Sequence, residues 1–118
     1  MDLAEILNKL NRNEDILGSL VITQEGMVVM SALGAGHNPE TFAAFCSSVG
    51  LTLSKSLINL KIETFHRYIL SSEDYKLFIV NIGNLFLVVI THVDANLSEM
   101  NVLLYQAESL IRKTGRLD

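Results

Sequence analysis

Apolar residues recur along the chain at two different spacings, and these spacings separate predicted helices from predicted strands. Near the start they lie three or four positions apart, as one face of an α-helix requires. They are Leu3, Ile6, Leu7 and Leu10. Asp2 and Glu5 have the spacing of a capping box, with aspartate in the place usually held by serine or threonine. The chain is therefore expected to begin with a short helix over residues 2–11.

Two segments between residues 16 and 33 are rich in apolar and β-branched side chains, and they flank Thr23-Gln24-Glu25-Gly26. Gly26 can adopt the positive φ that a three- to five-residue hairpin loop needs, so the pattern predicts an antiparallel pair of strands. A third strand is predicted over residues 62–70. Its apolar residues are interrupted by Glu63, Thr64, His66 and Arg67. Such mixed polarity suits the edge of a sheet better than its centre.

The segments 75–82 and 85–91 are more uniformly apolar than the earlier strand candidates. Gly83-Asn84 lies between them and is a two-residue connection of the kind that closes a tight hairpin. Pairing of these two segments is the firmest structural expectation from the sequence. Their apolar character also predicts that both faces of the sheet are covered by other elements.

Two further helices are indicated by their start signals. Asn38-Pro39-Glu40 supplies an N-cap residue, a first-turn proline and a first-turn acid, which predicts a helix running to about Leu60. Asn96 followed by Glu99 resembles a second capping box, and an amphipathic helix after it is expected to end at Gly115. The predicted order is α-β-β-α-β-β-β-α, an α+β architecture in a single domain over residues 1–118.

The central helix carries no charged residue from Thr41 to Ser54. A helical wheel predicts a sheet-facing stripe of Phe42, Phe45, Cys46, Val49, Leu53, Leu57 and Leu60. It also predicts an uncharged ridge beside that stripe, formed by Ala43, Ser47, Gly50 and Ser54, with Leu51 and Ile58 beyond it. A helix side that faces water normally carries charge, so this ridge predicts contact with another protein surface. The alternative is a helix buried within its own monomer.

Composition narrows the range of functions. The chain has 9 lysine and arginine residues against 13 aspartate and glutamate residues, a net charge of −4, and no basic run that could neutralise a row of phosphates. We therefore expect no nucleic-acid partner. The start of the chain lacks the order of a secretory signal, and no apolar run is long enough to insert into a membrane. A single cysteine, Cys46, fits a reducing compartment, so a cytoplasmic location is expected.

Candidate chemical motifs are weak. Gly34-Ala35-Gly36-His37-Asn38-Pro39 superficially matches a phosphate loop, but it has a proline at the third glycine position and no acidic residue about twenty positions later. Cys46 is predicted in the core rather than as a nucleophile paired with His66 or His92, and the three histidines lack metal-site spacing. Asp94 and Glu99 are placed to cap a helix. We expect no catalytic residue, no metal and no cofactor.

Two segments resemble the roadblock/dynein light chain family. The first hairpin, residues 17–29, resembles that family's apolar strand, acidic-glycine turn and second strand, and residues 93–98 resemble the segment before its last helix. The resemblance implies a five-stranded antiparallel sheet with the central helix on one face and the terminal helices on the other. It further implies a homodimer in which the central helices lie side by side and the third strands pair edge to edge. Its edge residues would be Thr64, His66, Arg67 and Tyr68.

The same resemblance implies a non-enzymatic module that binds and regulates a Ras-like small GTPase, similar to bacterial and archaeal forms that include regulators of gliding-motility GTPases. A purely structural dimerisation or scaffold subunit is the alternative. Arg67 is the obvious candidate for an inserted arginine finger, but it is predicted on a regular edge strand rather than on a projecting loop. Activators of this family are understood to reposition residues of the GTPase itself. The predicted interface residues of the central helix are Ala43, Ser47, Gly50, Leu51, Ser54 and Ile58.

Overall fold

Three helices and five strands follow one another in the predicted order in the computed structural model, which describes residues 1–115. They are α1 Leu3–Leu10, β1 Ile16–Thr23, β2 Val28–Leu33, α2 Pro39–Asn59, β3 Arg67–Ser71, β4 Tyr75–Ile82, β5 Leu85–His92 and α3 Leu97–Gly115. The α+β class and the element order are confirmed. The predicted helix stop after Gly115 concerns residues that lie outside the described part of the chain.

The five strands form one antiparallel sheet in the order β2-β1-β5-β4-β3, so β2 and β3 are its two edges. Both predicted hairpins are present, and their turns contain Gly26 at φ +98° and Gly83 at φ +69°, a left-handed conformation that favours glycine. The β1–β2 pairing is irregular, because Val21 faces Met30 whereas Ile22 faces Val28. Val29 is the extra residue of this β-bulge.

The first two helices begin as the sequence indicated. The Asp2 carboxylate accepts a hydrogen bond from the Glu5 amide, and the Glu5 carboxylate accepts one from the Asp2 amide, so the capping box of α1 is complete. At the start of α2 the Asn38 side chain accepts a hydrogen bond from the Thr41 amide, and Pro39 occupies the first turn.

The cap of α3 is only half of the predicted box. The Asn96 side chain accepts a hydrogen bond from the Glu99 amide, as an N-cap residue does. The Glu99 carboxylate instead accepts a hydrogen bond from the side-chain amide of Asn13. This contact connects the start of α3 to the loop between α1 and β1, so the acidic residue links two elements rather than closing its own helix end.

The two faces of the sheet have separate hydrophobic cores, as expected for the predicted layers. One face packs against α1 and α3, and its buried residues include Ile6, Leu7, Val21, Phe78, Val80, Leu87, Val89, Met100, Leu104 and Ile111. The other face packs against α2, and its buried residues are Leu20, Ile22, Ala43, Cys46, Phe65, Ile79, Phe86 and Val88. Alternate residues of each central strand therefore enter opposite cores, which explains their continuous apolar character.

The third strand begins at Arg67, so its predicted start at residue 62 is wrong. Lys61 has a positive φ of 62°, and the Ile62 amide donates back to the Leu57 carbonyl, so the chain turns at the end of α2 before it can extend. Phe65 is then buried in the α2 core, where its ring centroid lies 5.8 Å from that of Phe86. Thr64 and His66 consequently belong to the connecting segment rather than to the strand.

The rotation of α2 about its axis also differs from the prediction. Its buried residues are Ala43, Cys46 and Gly50, whereas Phe45 and Leu60, which were predicted to face the sheet, are exposed. Gly50 explains the difference, because a Cβ built on it would lie 2.9 Å from Cε2 of Phe86. Without a side chain at this position the helix settles directly on the Phe86 ring, and this contact determines which residues point inward.

We expect Gly50→Ala to destabilise the protein. An alanine in a helix interior normally stabilises it by about 0.5–1 kcal/mol relative to glycine. Here the added methyl group would collide with the buried Phe86 ring, and overpacking of this kind costs about 1–3 kcal/mol. Urea unfolding followed by circular dichroism would measure the change. Ser48→Ala, at an exposed position of the same helix, is the control and should be neutral or slightly stabilising.

Candidate functional site

The outward surface of α2 is apolar for a solvent-facing helix. Phe45 lies on one flank and is 49% exposed, and Leu51 and Ile58 lie on the other flank, 58% and 64% exposed. Ser48 and Thr52 lie between the two flanks and are also exposed. We refer to these residues as the α2 outer surface. The predicted outward orientation of Leu51 and Ile58 is confirmed, but their role in an interface remains a prediction.

The predicted small-residue ridge does not form an outward surface. Ala43 and Gly50 are buried against the sheet, so their predicted role in contacting another protein is wrong. The Ser47 hydroxyl donates a 2.6 Å hydrogen bond to the Gln24 carbonyl in the first hairpin turn. A Cβ on Gly26 in that turn would lie 3.2 Å from Cβ of Ser47. The small residues therefore allow close packing within the monomer, which is the alternative that the sequence left open.

Two cavities flank α2. The first, of about 350 Å³, lies between the helix and the β3–β4 turn and is lined mainly by apolar and aromatic side chains: Phe42, Phe45, Leu70, Tyr75, Leu77 and Ile90. Sequence analysis missed it, although the apolar residues at the end of β3 and the start of β4 were visible. The second, of about 400 Å³, is more polar and includes Gln24, Glu25, Ser47, Ser54, Thr64 and Asn81. Ser54 and Thr64 thus lie beside the α2 flank that carries Leu51.

The edge strand β3 presents different chemistry to the two faces of the sheet. Paired residues of antiparallel strands share a face, so Arg67, opposite Val80, lies on the α3 side. Tyr68, opposite Ile79, lies on the α2 side, where its hydroxyl donates a 3.0 Å hydrogen bond to the Cys46 carbonyl. The structure therefore brings Tyr68 beneath α2 but directs Arg67 away from the α2 outer surface.

A polar cluster connects α3 to the segment that precedes β3. The largely buried Glu108 carboxylate lies 2.9 Å from the Arg112 guanidinium and 3.5 Å from His66 Nε2. Two turns earlier on α3, the Asn101 side chain accepts a hydrogen bond from Nη1 of Arg67. His66, predicted at the dimer edge, is therefore turned toward α3.

Cys46 has the environment of a packing residue. Its side chain is fully buried, and burial raises the pKa of the thiol from 9.0 to about 12, which disfavours the nucleophilic thiolate. Burial, followed by the effect of the neighbouring Cys46, also raises the pKa of the Tyr68 hydroxyl. Within residues 1–115, no group of three or more His, Cys, Asp or Glu side chains is arranged to hold a metal ion.

The length and hydropathy of α2 would also suit a helix that crosses a membrane. Core helices of soluble proteins share these two properties, so they are weak evidence for a membrane span. In this fold the inner side of α2 packs on the sheet through Ala43, Cys46 and Gly50. Its apolar composition is therefore explained in part by that packing and in part by the exposed residues of the α2 outer surface.

Comparisons with known proteins agree with this architecture. The family model described as Roadblock/LC7 domain matches residues 2–91. An uncharacterized protein of Methanocaldococcus jannaschii is 26% identical over 107 residues, which cover 91% of this chain and 94% of that protein. MglB of Myxococcus xanthus has a similar structure, with a TM-score of 0.86, 14% identity and 96% coverage of each chain. The gliding protein MglB of Thermus thermophilus gives a TM-score of 0.82 at 18% identity and covers 96% of this chain and 88% of its own.

We expect the thiol of Cys46 to resist alkylation in the native protein and to react rapidly in urea, because only unfolding exposes it. Mass spectrometry after iodoacetamide treatment would measure both rates. Fast alkylation of the native protein would contradict the packing role. Cys46→Ala is expected to leave partner binding intact.

The raised pKa of Cys46 also gives a pH dependence. An unfolded chain ionises the thiol above pH 9.0, whereas the folded protein retains the proton until about pH 12, so stability should fall as pH rises through this interval. Tyr68 contributes in the same direction. The urea midpoint of the wild type should therefore decrease more over this interval than that of Cys46→Ala. An equal decrease in both proteins would show that Cys46 is not responsible.

Proposed function

The chain belongs to the Roadblock/LC7 family, and we propose that it is a cytoplasmic, homodimeric, non-enzymatic module that binds a Ras-like small GTPase and regulates its GTP hydrolysis. Members of this family are regulatory or adaptor modules rather than enzymes. The similarity of its fold to MglB, a gliding protein, supports the comparison with bacterial regulators of GTPases.

The apolar character of the α2 outer surface is the main support for this proposal. A solvent-facing helix usually carries charge, whereas this one exposes Phe45, Leu51 and Ile58 and has no charged residue from Thr41 to Ser54. Exposed apolar residues that lie close together mark protein interaction surfaces. Ser48 and Thr52 are the hydroxyl-bearing residues of this surface, and no histidine, cysteine or carboxylate is among the residues that define it, which favours binding over catalysis.

Incomplete coverage of the sheet supports the homodimer. Five strands about 4.8 Å apart span roughly 20 Å, whereas one helix is about 10 Å wide, so α2 alone cannot cover its face. The uncovered part lies toward β3, where Leu70 and Tyr75 border the apolar cavity. Pairing of β3 with the same strand of a second copy would extend the sheet and bring a second α2 to this side. A contact of this type is self-complementary and forms a closed dimer.

Regulation by this dimer would not use Arg67 as an inserted finger. Its side chain points to the α3 side of the sheet and donates to Asn101, whereas the α2 outer surface is on the opposite side. A GTPase bound to the α2 outer surface would therefore be out of its reach. Repositioning of the GTPase's own catalytic residues, the mechanism understood for activators of this family, is compatible with this geometry. A scaffold that binds without changing hydrolysis is the alternative function.

The dimer can be tested at the β3 edge. We expect the wild type to sediment as a dimer at micromolar concentration and to bury about 1,200–2,000 Å² in total. Leu70→Lys places a charge on this edge and should shift the protein to a monomer. Val29→Lys, a similar change on the opposite edge strand β2, is the control and should remain dimeric. A monomeric wild type, or equal behaviour of the two variants, would contradict the proposed contact.

The GTPase interaction can be tested with variants of the α2 outer surface. Leu51→Glu and Ile58→Glu should each weaken GTPase binding at least about tenfold, because they place a charge in an apolar contact. Lys55→Glu, at an exposed position of the same helix, is the control and should have a smaller effect. The measurements are affinity by calorimetry and GTP hydrolysis by a Ras-like GTPase from the same organism. Binding without faster hydrolysis would favour the scaffold, and wild-type affinity in both glutamate variants would refute the assigned surface.

A further inference from the structure

The face of the sheet opposite α2 also has an uncovered edge. Arg67 and Ile69 of β3 pair with Val80 and Phe78 of β4, which belong to the core beneath α1 and α3. Their side chains therefore point to the α3 side of the sheet. The α3 helix packs on β4 but leaves the edge strand largely open, and Ile69 is 38% exposed. We refer to this partly covered strip, which lies between α3 and β3, as a groove.

One stripe of α3 forms the wall of this groove. Residues 101, 105, 108 and 112 are spaced by three or four and so share one side of the helix. Asn101 accepts a hydrogen bond from Arg67, and Glu108 lies 3.5 Å from His66, so this side faces the start of β3. Tyr105 lies between them on the same stripe and is 73% exposed. A large aromatic side chain is thus held beside the groove without being covered.

The two charged groups of the groove wall and floor, Glu108 and Arg67, differ in how they are paired. The Glu108 carboxylate lies within ion-pair distance of Arg112 and His66. Arg67 contacts only a neutral amide oxygen, that of Asn101, and its Nε is buried without a hydrogen-bond acceptor within residues 1–115. A guanidinium can bind a carboxylate through two parallel hydrogen bonds, and an unsatisfied donor favours a side-chain rotation that supplies an acceptor. Among residues 1–115, Arg67 is therefore a cation without an acidic partner, in a protein whose net charge is −4.

We propose that this groove, which we name the α3–β3 groove and define by Arg67, Ile69, Asn101 and Tyr105, binds an acidic peptide segment of a partner protein. A carboxylate of the peptide pairs with Arg67, and an adjacent apolar side chain packs against Ile69 and Tyr105. The groove lies on the opposite face from the α2 outer surface, so one molecule can hold a GTPase and this peptide together. The protein then connects the GTPase to a second component.

The proposed dimer would make the groove continuous across two subunits. Strand pairing of β3 with its symmetry mate places the Ile69 side chains of both copies on the same face, with Arg67 of each copy nearby. This step rests on the proposed function, because it requires the β3 contact. A segment long enough to cross the twofold axis would then meet two cations and a shared apolar floor, so binding should be stronger in the dimer than in the monomeric Leu70→Lys variant.

The test uses short fluorescein-labelled peptides and fluorescence anisotropy. The probe has a phenylalanine after every two glutamates, and two matched peptides replace either the phenylalanines with serine or the glutamates with lysine. We expect the acidic, phenylalanine-containing probe to bind, and we expect its affinity to decrease as salt is added. Both matched peptides should bind at least about tenfold more weakly than this probe. Absence of binding by the first probe, or equal binding by the lysine peptide, would overturn the proposal.

Variants locate the binding site. Arg67→Gln removes the cation and Tyr105→Ala removes the aromatic wall. Each substitution should lower the affinity for the probe at least about tenfold. The matched controls are Lys55→Gln, which changes an exposed lysine on the α2 side, and Val102→Ala, which changes an exposed apolar residue of α3 outside the groove stripe, and both should bind the probe normally. Tyr105 is exposed on α3, so its variant should fold and dimerise even if Arg67→Gln does not. Loss of binding in the controls but not in the groove variants would refute the site.

The same samples distinguish this proposal from the proposed function. Tyr105→Ala should bind the GTPase like the wild type while losing the peptide probe. A wild-type protein that dimerises and binds the GTPase but not the probe would refute the α3–β3 groove alone. Anionic phosphatidylglycerol vesicles and inorganic phosphate serve as competitors, and binding of either to wild type but not to Arg67→Gln, without peptide binding, would show that Arg67 recognises phosphate groups instead.

Discussion

The contact between Gly50 and the Phe86 ring determines how α2 lies on the sheet. A Cβ at position 50 would come within 2.9 Å of that ring, so the glycine sets both the closeness of the helix and its rotation. This rotation buries Ala43 and Cys46 and leaves Phe45, Leu51 and Ile58 outside. The proposed binding surface is therefore a consequence of one aromatic contact in the core beneath it.

The sheet then separates two kinds of surface. On one face, a single helix leaves apolar side chains near β3 uncovered, including Leu70 and Tyr75. On the other face, two helices cover more of the sheet, but the β3 edge still carries Arg67 beside α3. Because the side chains of β3 alternate between the faces, one short strand supplies apolar residues to one side and a cation to the other. The edge strand thus links the two proposed interfaces.

Local patterns in the sequence were sufficient to predict the element order, both hairpins and the caps of α1 and α2. Each of these features depends on residues that lie close together in the chain. The start of β3 was missed because Phe65 is held by Phe86, a partner distant in sequence. The small-residue ridge was recognised as a site of close approach, but a helical wheel cannot tell whether the approaching surface is internal or external. Gly50 packs on Phe86, and Ser47 packs on the first hairpin turn. Leu51 and Ile58 were placed correctly because they lie well outside the buried side of the helix.

The bulge at Val29 hinders the addition of further copies of the protein at the β2 edge of the sheet. A protein with two regular free edges could add further copies at both ends and form fibres. The β2 edge has no charged residue from Met27 to His37 to discourage such addition. The extra residue at Val29 interrupts the ladder and increases its local twist, so an incoming strand would meet an irregular hydrogen-bonding edge. This single backbone irregularity would keep an association through β3 finite, and its removal would turn a soluble assembly toward polymerisation.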